Sequence, residues 1–84
     1  MSTVLSDAEM LMEMERICRS VFDDPSLVIT RSSNAGSIDK WDSMSNLILI
    51  DELEKRFGMK FSLDEILEAQ NIGDLCDIIK RKTT

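Results

Sequence analysis

Residues 41–58 run Trp41-Asp42-Ser43-Met44-Ser45-Asn46-Leu47-Ile48-Leu49-Ile50-Asp51-Glu52-Leu53-Glu54-Lys55-Arg56-Phe57-Gly58. Met44, Leu47, Ile50, Leu53 and Phe57 recur at helical spacing. The segment is therefore expected to be an amphipathic helix that begins near Ser43 and stops at Gly58. Ile48 and Leu49 widen its apolar stripe beyond one face. Asp51, Glu52 and Glu54 line the polar side, and Lys55 and Arg56 fall near the C-terminus, where the helix dipole favours cations.

Toward the C-terminus, Phe61 precedes Ser62 and Glu65, a capping-box pair that opens a third, shorter helix. Leu63, Ile66, Leu67 and Ala69 are expected to supply its apolar contacts. Asn71-Ile72-Gly73 interrupts, and a last helix is expected from near Asp74, with Leu75, Cys76, Ile78 and Ile79 facing inward. Toward the N-terminus, residues 25–41 keep no helical period. Leu27-Val28-Ile29 has strand character but no partner strand, so this segment reads as a crossing loop pinned by Leu27, Ile29, Ile38 and Trp41. Before it, Met10, Leu11, Met14, Ile17, Cys18 and Val21 share one face of a first helix, from about Asp7 to Phe22. Ser6 and Glu9 open that helix as a capping box, and Asp23-Asp24-Pro25 ends it. The expected architecture is all-α: an irregular four-helix bundle with three longer helices, one short helix and a long loop between helices 1 and 2, in a single domain spanning 1–84.

Composition narrows the function. The 84 residues carry a net charge of −6 and include no histidine. An acidic chain repels phosphate backbones, which argues against nucleic acid as a partner. Without histidine the commonest general base and metal ligand are missing, so no catalytic residue and no metal site are expected. Cys18 and Cys76 lie far apart in apolar helical patterns and read as buried free thiols. No apolar run is long enough to span a membrane, and Asp7, Glu9, Glu13 and Glu15 break up the N-terminal segment, so no signal peptide is read there. A reducing, cytoplasmic setting and a monomer are the expectation.

Ser43 stands where a polar loop becomes a helix. Unpaired amides and the positive end of the dipole tolerate a phosphate there. The plain alternative is that Ser43 only caps the helix, since serine is a favoured capping residue.

The chain resembles the acyl carrier protein family, together with the peptidyl and aminoacyl carriers. The resemblance rests on Asp42-Ser43-Met44 at a helix start, followed by Leu47, Ile50 and Leu53, then Phe57-Gly58 and Phe61. It continues through Ser62-Leu63-Asp64-Glu65-Ile66, Asn71-Ile72-Gly73-Asp74-Leu75 and Ile78-Ile79. It covers nearly the whole chain and is strongest from Trp41 to Lys82. It implies that Ser43 carries covalent 4′-phosphopantetheine, donated by coenzyme A through a separate phosphopantetheinyl transferase using magnesium. The arm's thiol would hold an acyl or aminoacyl group as a thioester. A loading ligase or transferase and a downstream synthase or transferase would be the further partners, and the chain itself would not be an enzyme. Asp42 would serve transferase recognition, helix capping or both, and Met44 would touch partners or pack in the first turn. Trp41 is read as a loop anchor.

The resemblance departs from the fatty-acid carriers in one place. Those are acidic along the start of helix 2, whereas here Ser45 and Asn46 follow Met44, and the acids come later. Ile48 is expected in the docking surface, with Asp51, Glu52, Glu54, Asp64, Glu65 and Glu68 as its acids. Leu47, Ile50, Phe61 and Ile66 are the expected lining of a cargo crevice between helices 2 and 3. A specialised biosynthetic pathway fits this pattern better than housekeeping fatty acid synthesis. A helical adaptor that keeps the fold without using the arm is the alternative of a different class.

Overall fold

In the computed structural model, which describes residues 5–83, the chain forms helices α1 (Asp7–Val21), α2 (Ser43–Phe57), α3 (Leu63–Glu68) and α4 (Ile72–Thr83). No strand occurs among the described residues, so the Leu27–Ile29 run is loop. None of these helices is long and apolar enough to cross a membrane.

Local chemistry sets the helix ends. The Ser6 hydroxyl accepts the Glu9 amide while Glu9 accepts the Ser6 amide, a reciprocal cap for α1; Ser62 and Glu65 do the same for α3. Helix α1 ends before Pro25 acts. Asp23 adopts a left-handed φ of 51°, and the Asp24 amide turns back to the Arg19 carbonyl at 3.0 Å. Aspartate is among the few side chains that tolerate this conformation. Gly58 closes α2 at φ 64°, as a helix-terminating glycine does. Helix α4 starts at Ile72, two residues earlier than expected. The Asn71 side chain accepts the Asp74 amide at 2.8 Å, and the long loop takes the first free amides: Ile72 N–H bonds the Ser33 carbonyl and Gly73 N–H the Arg31 carbonyl. A Cβ on Gly73 would stand 3.0 Å from that carbonyl oxygen, so close approach of loop and helix requires glycine here.

One core joins Met10, Met14, Ile17 and Cys18 of α1, Leu49, Ile50 and Leu53 of α2, and Ile72, Leu75, Cys76, Ile78 and Ile79 of α4. Phe22, Ile29, Ile38, Trp41, Met59 and Phe61 enter it from the connections, with Leu27 packed against its edge. The crossing loop is therefore pinned as expected. Polar ties add to this: Arg19 donates to the Leu27 carbonyl at 2.7 Å, the Ile29 amide donates to Glu15 at 3.0 Å, and Arg31 bonds Asp77 at 2.8 Å. Cys18 and Cys76 are buried free thiols.

Helix α2 is turned differently from the stripe first read in it. Leu49 and Leu53 are fully buried, whereas Met44 and Leu47 are 73% and 64% exposed. The reason is geometric. Each three-residue step falls about 60° short of a full rotation, so Met44, Leu47, Ile50 and Leu53 walk half way around the helix. The inward face is Leu49, Ile50, Leu53 and the half-buried Phe57. Leu63 and Leu67 likewise point to solvent, leaving Ile66 and Ala69 as the apolar contacts from the α3 region; α3 itself has no fully buried residue.

This rotation predicts that Leu49→Ala lowers unfolding free energy by about 2–5 kcal/mol. Leu47→Ala should stay within about 0.5 kcal/mol of wild type. Urea denaturation of the two variants measures both, and equal losses would contradict the assignment of faces.

Candidate functional site

The junction between the long loop and α2 is built around Trp41. Its ring is buried, lies 5.9 Å from that of Phe22, and donates its indole N–H to Asn46 Oδ1 at 2.9 Å. The chain then turns extended at Asp42, which is the capping residue of α2. The Asp42 carboxylate accepts the Ser45 amide at 2.9 Å, and the Ser45 hydroxyl accepts the Asp42 amide at 2.8 Å. The same hydroxyl donates to the Lys40 carbonyl at 2.7 Å. The cap of α2 is thus formed without the Ser43 side chain. Its hydroxyl is exposed at the first helical position and makes no hydrogen bond among the described residues. The reading of Ser43 as a mere cap is therefore set aside: Asp42 has that role.

Electrostatics at the junction follow from these contacts. The Ser45 amide and then its hydroxyl hold the Asp42 carboxyl below its ordinary value of 3.8. The first turn of α2 contains no acidic residue, so its dipole faces Ser43 uncompensated except by Asp42 itself. An exposed hydroxyl at such a helix start fits a phosphodiester. The chain's own thiols are a poor match for nucleophilic work, because burial pushes Cys18 up to about 12 and Cys76 up to about 11. Among the described residues, no group of three or more Cys, Asp or Glu side chains is placed to hold a metal ion.

The remaining candidates divide. Met44, Leu47 and Ile48 share the outward face of α2 with Asp51, which is paired to Lys55 at 2.9 Å. Glu52, Asp64 and Glu68 are exposed and make no hydrogen bond or ion pair among the described residues. Glu54 and Glu65 are engaged internally. Glu54 accepts the Phe61 amide at 2.9 Å. Glu65 is held at about 2 by Lys82 first and then by the Ser62 amide, and it also pairs with Arg81. Ile50 and Phe61 belong to the core, Ile66 packs on its edge, and Leu47 stands outside it. Sequence reasoning passed over Ser45 and Asn46 as contributors to the junction. The signal was present, since Asp42 and Ser45 have capping-box spacing.

The profile of a family described as "Phosphopantetheine attachment site" matches residues 41–79. The chain is also similar to a solved structure, the solution structure of a holo acyl carrier protein from Geobacter metallireducens. The two are 44% identical with a TM-score of 0.82, over 87% of this chain and 84% of that one. No curated protein sequence matches.

Because the folded Asp42 carboxyl titrates below its unfolded value, the stability it contributes is full above about pH 4. That stability is lost as pH falls through the lower, folded value. Carboxyl resonances followed by NMR should place the Asp42 midpoint below 3.8. Asp42→Asn, which caps without titrating, should flatten the acid limb of the stability curve. A midpoint at or above the ordinary value would contradict the cap.

Proposed function

We propose, since this chain belongs to the acyl carrier protein family, that Ser43 is the residue bearing its covalent 4′-phosphopantetheine and that residues 1–84 form one carrier domain. The observation that carries this reading is the exposed, unbonded Ser43 hydroxyl beside a helix cap supplied by its neighbours. In the attachment step, carried out by a phosphopantetheinyl transferase with magnesium, Ser43 Oγ forms a bond to the pantetheine-bearing phosphorus of coenzyme A. The pyrophosphate P–O bond breaks, adenosine 3′,5′-bisphosphate leaves with the electron pair, and the serine proton passes to a base on the transferase. When bound, the arm supplies a terminal thiol that holds an acyl or aminoacyl group as a thioester.

The chain's own residues then hold and present. Trp41, Asp42 and Ser45 fix the base to which the arm is joined, so the cargo is tethered at high effective concentration near each docked partner. Cys18 and Cys76 stay protonated inside the core and do not compete as thiol acceptors. Met44, Leu47 and Ile48 offer partners an apolar face, and Glu52, Asp64 and Glu68 offer unpaired acids. Ile50, Phe61 and Ile66 line the side of the core from which an apolar cargo would be sheltered. The neutral first turn of α2 supports a specialised biosynthetic pathway over housekeeping fatty acid synthesis. Loading and downstream enzymes of that pathway are the further partners, and the working setting is a monomer in the cytoplasm. A helical adaptor would leave the free Ser43 hydroxyl without a use.

Incubation with coenzyme A, magnesium and a broad-specificity phosphopantetheinyl transferase should add a single phosphopantetheine to the intact mass of wild type and none to Ser43→Ala. Failure of wild type to gain that mass with several active transferases would favour the adaptor. Ile48→Ser should lower the kcat/KM of that loading by about five-fold, the scale of a lost apolar contact worth on the order of 1 kcal/mol. An unchanged rate with every partner enzyme tested would remove Ile48 from the docking surface.

A further inference from the structure

Two serines stand two residues apart at the start of α2, and hydrogen bonding separates them. The Ser43 hydroxyl makes no bond among the described residues. The Ser45 hydroxyl is fully used: it donates to the Lys40 carbonyl at 2.7 Å, accepts the Asp42 amide at 2.8 Å and lies 3.1 Å from the Asp42 carboxylate. Its own amide meets that carboxylate at 2.9 Å. One short side chain thus ties the end of the crossing loop, on both sides of Trp41, to the third position of the helix. Residue 43 lies inside that closed ring of contacts.

We infer that Ser45 is a positioning residue for modification at Ser43: its hydroxyl latches the loop to α2 and so holds the neighbouring hydroxyl in the presented geometry. The inference rests on the carrier reading above and adds a residue to it. The physical basis is population. A transferase engages the junction only in its competent conformation, and apparent affinity falls in proportion to the fraction of molecules that hold it. Asp42 alone is a weaker latch. Its carboxylate reaches the Ser45 amide within the helix start, whereas only the Ser45 hydroxyl reaches back to Lys40. Ser45 cannot itself serve as an attachment point without surrendering its donation to the Lys40 carbonyl, so the latch also explains why one serine of the pair is presented.

Ser45→Ala removes the latch and leaves Ser43, Asp42 and the outward apolar face in place. With catalytic transferase, saturating coenzyme A and the carrier concentration varied, its KM as a loading substrate should rise about five-fold while kcat is retained, the scale expected for loss of one capping interaction. Amide hydrogen exchange at residues 41–46 should quicken, with α1 and α4 unchanged. Ser45→Thr, which restores the hydroxyl, should recover both the KM and the slow exchange. Loading of Ser45→Ala with wild-type KM, or a raised KM without faster exchange at the junction, overturns the latch. Wild type that gains no phosphopantetheine overturns the carrier reading, and the latch with it.

Discussion

Burial of the Trp41 indole against Phe22, with its N–H bonded to Asn46, fixes how helix α2 is turned about its axis. Asn46 lies on the face of α2 that also bears Leu49, Ile50 and Leu53. Anchoring it inward commits those three to the core and sends Met44, Leu47 and Ile48 outward. The same anchor ends the crossing loop at a defined point, so that Asp42 and Ser45 close the helix start and Ser43 is left free. Core packing and presentation of the site are thus one constraint seen from two sides of a single helix. A buried indole needs a partner for its N–H, and a half-buried amide at the right turn of α2 provides it.

Charge is arranged to match. Every lysine and arginine except Lys40 is in an ion pair within the chain, and Lys40 donates to the Asp23 carbonyl. Several of these pairs join elements: Arg56 to Glu13, Lys80 to Asp7, and Arg81 and Lys82 to Glu65. Individually such exposed pairs contribute little stability. Collectively they occupy the cations and leave acids such as Glu52, Asp64 and Glu68 exposed without an ion pair among the described residues. The net charge of −6 is therefore not spread evenly in its effect. Glu54 and Glu65 carry the same charge but are turned to structural work on the α2–α3 connection and α3.

Much of the fold was legible residue by residue. Two capping boxes, the glycine stop at Gly58 and the pinned crossing loop all follow from local rules that the structure obeys. The structure departs from the sequence expectation where a local rule leaves a choice. In α2, apolar residues occupy both the Met44–Leu47–Ile48 face and the Leu49–Ile50–Leu53 face, and spacing alone does not say which is covered. In α3, Leu63, Ile66 and Leu67 share one face at i, i+3 and i+4, yet only Ile66 packs against the core while Leu63 and Leu67 stand exposed, so spacing alone does not say how much of that face is covered. Helix α4 begins early because a distant loop supplies carbonyls to Ile72 and Gly73, a contact that no local window contains.

The sequence by itself determined four helices, one core, an absence of histidine chemistry and a serine at the start of α2, since periodicity, capping pairs and composition are local or additive properties. Only the tertiary structure decided which side of α2 faces out, which acids are spent internally and which serine hydroxyl is left unbonded. Those outcomes depend on what packs against each face: Trp41 on Asn46, Arg81 and Lys82 on Glu65, and Lys40 on Ser45.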